Sequence, residues 1–471
     1  MADSDLAFAP ASRLMEMMEG GEVSSVELTE MFLGRIEEFN PRLNAYLTVS
    51  GDEAMAQARE ADAARARGER AALLGLPTSI KDLEATKGIR STMGSLVFKE
   101  MIPERDSAVV DRVKAAGGVI LGKTNTPEFG LLGVTQNRLG DPCCNPWDPT
   151  RTSGGSSGGA AAAVIAGLSS VAPGTDGGGS VRLPSSFCGL YGLKPTLGRV
   201  ARGGGFGKPS PNLTSQAGPM ARTVQDAALL LQVIAGHDSR DPSSLRSALP
   251  DYSAGLGQSI RGLRIAWSAD LGYCPVDPEV LETTAAAAQL FQEFGCEVED
   301  TDFALDNPLP PFYDIFYSNN FTSWGHLLEE NPDDLTDYGR TFLEHGARAT
   351  GVDFAKALAA VEIMKGKLAD LLERYDLLMT PTVAVPAFPH GQFPERIGDH
   401  LMEDPRRGFS PYTRPFNVIG SPAASIPCGM SGDGLPIGLH IVGRHEDEAT
   451  VLKASAAYEQ ARPWPQRPPV S

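Results

Sequence analysis

The sequence GGSSGGAAAAVIAGLSSVAPGTDGGGSVR, residues 154–182, is the stretch around which the chain is organised. It brings two glycine-flanked serine sites close together, Ser156–Ser157 and Ser180. Glycine adopts positive φ angles without strain, so such a loop can turn sharply and direct several N–H groups at one spot. An exposed hydroxyl beside converging N–H groups supplies the nucleophile and the oxyanion hole that acyl transfer needs. A flexible Gly/Ser linker is the alternative, but linkers do not enclose an apolar run such as residues 160–166.

Composition excludes several classes of partner. The 471 residues, 42% of them hydrophobic, are enough for a large core, and the length predicts one to three domains. A net charge of −18 lacks the basic footprint with which proteins hold nucleic acid or anionic lipid, so we expect neither partner. No signal-peptide pattern opens the chain, and no apolar run approaches the ~20 residues of a membrane span. We expect a cytoplasmic location, which the cysteine content described next favours.

The six cysteines contain no Cys-x-x-Cys pair. Zinc or thioredoxin-like chemistry therefore has no local support, and we expect no metal site. Six cysteines in a chain of this length are also too sparse for a disulfide scaffold, so reduced thiols are predicted.

Hydrophobic periodicity divides the chain into alternating helices and strands. Residues 1–70 predict a helical layer, in which a capping box of Ser24 and Glu27 starts one helix and Asn40–Pro41 ends it. The other predicted helices span residues 52–67, 106–116, 223–235, 278–294, 352–374 and 446–461, and the predicted strands 119–124, 188–196, 263–267, 296–298, 377–379, 423–427 and 437–442. This alternation predicts an α/β fold with a buried sheet.

Two segments match known sequence motifs but lack the structural context that those motifs require. Residues 117–124, GGVILGKT, match a phosphate-binding loop, but residues 119–121 are predicted as strand and Pro127 prevents a following helix. Residues 155–159 match a nucleophile elbow, but a proline-rich polar loop precedes them where an apolar strand is required. Nucleotide binding and a Ser-His-Asp hydrolase are therefore poor interpretations.

Lys81 ends a short, largely apolar segment with glycine and proline just upstream. A lysine is usually a solvated surface residue. Here the apolar segment and its fixed entry indicate that Lys81 is buried instead.

Two segments break the alternation, residues 303–350 and 386–420. The second is rich in Pro, Arg and Phe, and the first carries the aromatic residues Phe312, Tyr313, Phe316, Tyr317, Phe321 and Trp324. Such segments either pack a core or line an apolar substrate pocket, and the sequence leaves both interpretations open.

Taken together, these motifs resemble the amidase signature family. The resemblance rests on residues 154–159, 174–182 and 192–199, with further matches at residues 80–82, 119–125, 218–224 and 434–439. It extends over nearly the whole chain, and only about residues 240–420 look individual. It implies one domain over residues 1–471, with a signature core at 71–240, a variable substrate-pocket region at 300–420, and a central mixed β-sheet covered by helices on both faces.

The resemblance further implies a Ser–cis-Ser–Lys triad that needs no cofactor. Ser180 would be the nucleophile, Ser156 the bridging serine after a cis peptide bond, and Lys81 the base. A lysine can act as a base only when it is neutral, and burial lowers its pKa towards working pH. Ser156 would relay the proton from Ser180 to Lys81 and return it to the leaving nitrogen.

The family also implies the surroundings of the triad. The oxyanion hole would be formed by backbone N–H groups just before the nucleophile, those of Gly177, Gly178 and Gly179, together with that of Ser180. The supporting residues would be Ser157, Asp176 and Arg182, the last two of which would orient the loop by pairing. Two positions depart from the usual pattern. Gly177 stands where a larger residue is common, and His440 stands where glutamine is common.

The function that this resemblance implies is hydrolysis of carbon–nitrogen bonds in small-molecule amides, including aryl amides and carbamates (a urethanase activity), by a monomer or homodimer. The first alternative is the amidase-like subunit of a tRNA-dependent glutamyl/aspartyl amidotransferase, which shares these motifs and works in a complex. The second is a non-catalytic scaffold, which the intact triad positions argue against.

Overall fold

The structure, a computed structural model, describes residues 3–204, 206, 212–465 and 467–470. The strands are β1 (Tyr46–Val49), β2 (Pro77–Lys81), β3 (Val119–Thr124), β4 (Cys144–Asn145), β5 (Asp148–Thr152), β6 (Val171–Asp176), β7 (Tyr191–Lys194), β8 (Gln216–Ala221), β9 (Arg264–Trp267), β10 (Glu297–Asp300), β11 (Leu377–Pro381), β12 (Arg396–Ile397), β13 (His400–Leu401), β14 (Ala423–Met430) and β15 (Pro436–Gly443).

The helices are α1 (Asp3–Ala7), α2 (Ala11–Glu19), α3 (Ser25–Leu43), α4 (Gly51–Ala66), α5 (Ala108–Ala115), α6 (Gly158–Ile165), α7 (Arg182–Cys188), α8 (Val224–Ile234), α9 (Pro278–Gln289), α10 (Leu309–Trp324), α11 (Leu327–Glu330), α12 (Asp337–Arg348), α13 (Gly351–Arg374), α14 (Pro405–Gly408), α15 (Pro415–Ile419) and α16 (Glu448–Ala461). Short 3₁₀ turns lie at Leu96–Phe98, Glu128–Gly130 and Leu290–Phe294.

One large mixed sheet organises these elements, with strand order β1-β3-β2-β6-β8-β7-β14-β15-β11-β9-β10. Parallel pairs lie towards its two ends, β2 with β3 and β6, and β9 with β10 and β11. The strands between β6 and β11 pair antiparallel. Every residue of β2, β3, β6, β7, β8, β11 and β15 is buried, as expected for strands with packed elements on both faces. The predicted α/β fold with a central mixed sheet flanked by helices is thus confirmed.

The N-terminal helices pack against one end of this sheet. The capping box of Ser24 and Glu27 starts α3 as predicted, and α3 packs on α4, β2 and β3. Residues 1 and 2 of the predicted helical layer lie outside the described residues. The predicted end of this helix at Asn40–Pro41 is wrong, because α3 continues to Leu43 with Pro41 inside its last turn. A proline there removes a single helical hydrogen bond, a small loss for a 19-residue helix.

Two other predicted boundaries also shift. Residues 188–196 were predicted as one strand, but Cys188 ends α7 and only Tyr191–Lys194 is strand. Gly189, at φ +73°, caps the helix between them in the left-handed conformation that glycine favours. The helix predicted over 278–294 is α-helical only to Gln289 and continues as a 3₁₀ turn. Within the described ranges, no helix is both long and apolar enough to cross a membrane.

Candidate active site

Lys81 lies at the carboxyl end of β2 with its side chain fully buried. Its Nζ lies 2.7 Å from Ser156 Oγ, 2.8 Å from Ser157 Oγ and 2.9 Å from Thr175 Oγ1. Burial lowers the pKa of Lys81 to about 7, although the nearby Asp176 carboxylate acts in the opposite direction. A large fraction of Lys81 is therefore neutral near pH 7 and can accept a proton.

The hydrogen bonds around Lys81 define which hydroxyl meets its lone pair. Ser157 Oγ donates to the carbonyl oxygen of Thr175 at 3.2 Å, so it is an acceptor towards Lys81. The Thr175 hydroxyl offers a second acceptor. A neutral amine has two N–H donors and one lone pair, so when it donates to Ser157 and Thr175 its lone pair is left for Ser156. The geometry suits transfer of a proton from the Ser156 hydroxyl to Lys81.

The loop that carries Ser156 is held tightly by its neighbours. The peptide bond Gly155–Ser156 is cis. A Cβ at Gly155 would lie 2.8 Å from the backbone nitrogen of Val134, so a side chain has no room there. Ser157 N donates to the carbonyl oxygen of Ser180 at 3.2 Å, which joins the two serine segments through the backbone.

Asp176 organises the turn that leads to Ser180. Its buried carboxylate accepts from the N–H groups of Gly179 at 2.6 Å and Val181 at 3.1 Å. Arg182 Nε and Nη2 each donate to it at 3.0 Å, a two-pronged ion pair inside the protein. Burial acts to raise the pKa of Asp176, but Arg182 and Asn417 hold it well below its usual range. The carboxylate is therefore ionised at neutral pH, and its hydrogen bonds fix the loop conformation.

This arrangement leaves some N–H groups of the loop without a hydrogen-bond acceptor among the described residues. The Gly179 N–H is committed to Asp176. Among the described residues, none accepts from the N–H of Gly177, Gly178 or Ser180. These three N–H groups are therefore the uncommitted donors of the loop, and Ser180 itself is partly exposed.

Two residues from the segment before β14 support the loop from outside. Thr413 Oγ1 donates to the carbonyl oxygen of Gly178 at 2.8 Å. Gly179 has φ +124°, and a Cβ there would lie 2.2 Å from Thr413 Oγ1, so only glycine fits. Asn417 donates to the Asp176 carbonyl and carboxylate oxygens, each at 2.8 Å, and accepts from Arg182 Nη2 at 2.7 Å.

A cavity of about 500 Å³ opens above these groups. Of the predicted site residues, Ser156 and Gly177 line it, as does Thr175, whereas Ser180 is not among the lining residues. One wall is apolar and consists of Leu83, Met93, Phe129, Phe206, Phe316 and Trp324. The rest of the lining is largely polar and includes Glu84, Arg202, Asn212, Arg240, Asn319 and Asn320.

The aromatic segment at 303–350 contributes to this wall through α10. Trp324 stacks on Phe129 with ring centroids 4.8 Å apart and planes 7° apart. Phe316 lies against the loop that leads to Ser180, so that a Cβ at Gly177 would be 3.1 Å from its ring. Phe312 is buried and closes the space beside Gly178 in the same way. The segment is therefore both pocket wall and core.

A buried carboxylate next to this wall joins Ser95 to the start of α12. Glu128 accepts from Ser95 Oγ at 2.7 Å and from the N–H of Thr336, the residue that caps α12, at 2.8 Å. Burial raises its pKa, and those hydrogen bonds act against the rise. Because Phe129 follows Glu128 directly, these bonds also fix the ring that Trp324 stacks on.

Sequence reasoning thus missed several residues that shape the site. Thr175, Thr413, Asn417 and Glu128 each contact it, yet of these only Thr175 lies in a quoted motif. In the part of the chain that the structure describes, no group of His, Cys, Asp or Glu side chains could hold a metal ion. All six cysteines are free thiols.

Three comparisons with known proteins each find matches that cover nearly the whole chain. The family model described as Amidase matches residues 27–452. An acylamidase from Rhodococcus erythropolis is 36% identical over 479 residues, covering 100% of this chain and 98% of the relative. One of the subunits of the glutamyl-tRNA(Gln) amidotransferase from Chromohalobacter salexigens is 37% identical, with 95% of each chain covered. The crystal structure of a bacterial aryl acylamidase of the amidase signature enzymes matches with a TM-score of 0.91 at 31% identity, covering 97% of both chains.

Proposed function

Because this chain belongs to the amidase signature family, a family of amide-hydrolysing enzymes, we propose that it acts without partner subunits on small, neutral, apolar amides, with Ser180 as nucleophile. The observation that carries the proposal is the buried Lys81 amine, 2.7 Å from Ser156 Oγ, below a cavity with an aromatic wall. Aryl amides and aryl carbamates are the proposed substrate classes, and a monomer or homodimer the proposed active form.

In the proposed mechanism, Lys81 takes a proton from Ser156 as Ser156 takes one from Ser180. The Ser180 oxygen attacks the substrate carbonyl carbon and forms a tetrahedral intermediate. The relay then returns the proton to the leaving nitrogen, the carbon–nitrogen bond breaks, and an acyl-enzyme forms on Ser180. Water hydrolyses this ester by the same relay in reverse, which releases the acid and restores the serine.

The oxyanion would be held by the backbone N–H groups of Gly177, Gly178 and Ser180. We expected Gly179 to contribute as well, but its N–H donates to Asp176 at 2.6 Å, so we assign it to the support of the loop. Donors that are already aimed at the developing charge need no rearrangement during the reaction, and removal of one typically costs about 10²–10³-fold in kcat.

The proposed selectivity follows from the cavity wall. Phe129, Phe316 and Trp324 bury an apolar group, which is favoured by about 25 cal/mol per Å² of apolar surface. The two charges of a free amino acid would lose hydration against these three aromatic rings, which offer them no hydrogen-bond partner, so this wall favours an uncharged group. The polar part of the cavity, with Arg202 and Asn320, differs in chemistry from this wall and suits the solvated end of a substrate.

The test compares kcat/KM for an acetanilide, a phenyl carbamate, glutamine and asparagine under identical conditions. We expect the aryl substrates to be preferred by more than about tenfold, which corresponds to about 1.4 kcal/mol of transition-state stabilisation. The Ser180→Ala variant gives the background rate and shows that hydrolysis belongs to this site. A comparable preference for glutamine or asparagine would overturn the proposal.

A second candidate is the catalytic subunit of a tRNA-dependent amidotransferase, because curated relatives of that kind are as similar as the acylamidase, at 35–38% identity. Such a subunit must release ammonia from glutamine. Ammonia release from glutamine by the purified chain, stimulated by amidotransferase partner subunits and glutamyl-tRNA, would favour this candidate. Aryl amide hydrolysis by the chain alone, with no effect of those additions, would favour the first.

A further inference from the structure

His440 is one of the two departures from the family pattern, and its buried ring contacts Arg182, two residues after Ser180. It lies on β15 between two neighbouring strands, paired with Thr380 of β11 and Ser425 of β14. Its side chain is fully buried. The proposed mechanism assigns it no role, although its ring is in hydrogen-bond contact with Arg182.

The hydrogen bonds around His440 specify one neutral tautomer. Arg182 Nη1 and His440 Nε2 are 3.0 Å apart, and a guanidinium can only donate, so Nε2 must accept. On the other side, Thr380 Oγ1 lies 3.3 Å from Nδ1. That hydroxyl donates its own hydrogen to the carbonyl oxygen of Pro381 at 2.8 Å, so Nδ1 must carry the proton and donate to it.

We infer that His440 is a positioning residue for the proposed acyl-transfer reaction, holding Arg182 in the orientation that clamps Asp176 and thereby fixes the Ser180 loop. The inference rests on the proposed function. The contacts form a continuous chain. Thr380 orients the imidazole, the imidazole accepts from Arg182, and Arg182 Nε and Nη2 pair with the carboxylate that receives the Gly179 N–H.

The donors of Arg182 show why this acceptor matters. Nε and Nη2 are occupied by Asp176 and Asn417. For Nη1, His440 is the acceptor that the described residues provide. Without it, a buried N–H of a charged group has no partner, and the guanidinium must turn or admit water to regain one. Either response loosens the pair with Asp176.

The expected consequence lies in turnover and not in substrate binding. The oxyanion donors act on charge that is present only in the transition state, so their misplacement lowers kcat while KM stays near its original value. A displacement of about 1 Å, even when caused away from the chemistry, can reduce the rate on the order of 10²-fold. A residue with only a packing role would instead change the melting temperature without this selective loss.

The experiment measures kcat, KM and Tm of three variants with the best aryl substrate of the wild-type enzyme. His440→Leu removes both hydrogen bonds and should lower kcat roughly 10- to 100-fold at similar KM. His440→Gln should retain most of kcat, because its amide oxygen can accept from Arg182 while its amide nitrogen donates to Thr380. Thr380→Val removes only the group that orients the ring and should lower kcat to an intermediate value.

Thr382→Val is the matched control for Thr380→Val. Thr382 lies two residues after Thr380 and is also buried, but its hydroxyl forms a hydrogen bond with Ser425 and not with His440. Its kcat should equal that of the wild type. Overturning results are a His440→Leu enzyme with kcat within about threefold of wild type, a loss confined to KM, or equal losses in Thr380→Val and Thr382→Val. If His440→Leu does not fold, the comparison of Thr380→Val with Thr382→Val decides in the same way.

Failure of the proposed function would look different. Labelling of Ser180 by an irreversible sulfonyl fluoride, followed by mass spectrometry, reports whether the wild-type nucleophile is active at all. An unlabelled and inactive wild type would refute the nucleophile assignment. A labelled and active wild type with no kcat loss in His440→Leu would refute only the positioning role.

Discussion

The pH dependence of turnover tests the central assignment, Lys81 as the base. Burial lowers its pKa to about 7, and only the neutral amine can accept the Ser156 proton. Its neutral fraction therefore rises from about one tenth at pH 6 to about nine tenths at pH 8, so kcat/KM should rise about tenfold across this interval. The ratio kcat/KM must rise with pH as Lys81 loses its proton, because burial disfavours the charged form of a lysine.

The assay uses an aryl amide without titratable groups, so that the profile reports the enzyme and not the substrate. Far-UV circular dichroism between about pH 5.5 and 8.5 verifies that the fold is constant. A profile that is flat or falls over this range, with chemistry rate-limiting, would refute Lys81 as a neutral base. A Lys81→Met variant supplies the background, because it keeps a similar side-chain length without the amine.

A second variant tests the direction in which a neighbouring hydroxyl shifts the pKa of Lys81. Thr175 Oγ1 accepts from Lys81 Nζ at 2.9 Å, and an acceptor stabilises the ammonium form. Thr175→Val should therefore lower the pKa of Lys81 further and move the midpoint of the profile to lower pH. Thr382→Val serves again as the control, with an unchanged midpoint. A midpoint that moves to higher pH in Thr175→Val would contradict the hydrogen-bond assignment around Lys81.

Four further outcomes are expected. Ser180→Ala should abolish turnover and leave Tm nearly unchanged; activity within about tenfold of wild type would remove Ser180 from the nucleophile role. Gly179→Ala should sharply lower kcat, because its Cβ would lie 2.2 Å from Thr413 Oγ1 in a backbone conformation at φ +124°; unchanged kinetics would contradict the geometry of the loop. EDTA should have no effect on turnover, and a loss restored by a divalent ion would refute the metal-free relay. Because burial lowers the pKa of Lys81 and Lys194 to about 7, the unfolded chain binds more protons above pH 7, and Tm should rise between about pH 7 and 8.5; a falling Tm would show that other groups dominate.

Periodicity and motif spacing predicted the α/β fold and most of its elements. Their success has a physical basis, since β3 and β11 are short apolar runs that are buried on both faces. The errors lie at boundaries such as Pro41 and Cys188. There a single hydrogen bond or one left-handed glycine decides where an element ends, and tertiary packing outweighs the local signal.

The contacts within the site were harder to predict from the sequence than the motif itself. Spacing could suggest that Lys81 is buried, but not that Thr175 and Ser157 would take its two N–H donors and direct its lone pair at Ser156. The burial of Glu128 could not be predicted from the sequence either. A glutamate is normally solvated, and its burial here depends on Thr336 at the N-terminus of α12, 208 residues away in the chain.

The two departures from the family motif show what a motif alone cannot evaluate. At Gly177 the missing side chain leaves space beside the loop that leads to Ser180, and Phe316 of α10 occupies it, since a Cβ at 177 would lie 3.1 Å from that ring. At His440 the altered side chain has Thr380 as its partner on the next strand. Each departure is thus matched by a residue distant in sequence. A residue that departs from a family motif can still have a defined packing partner, because that partner comes from another element of the fold.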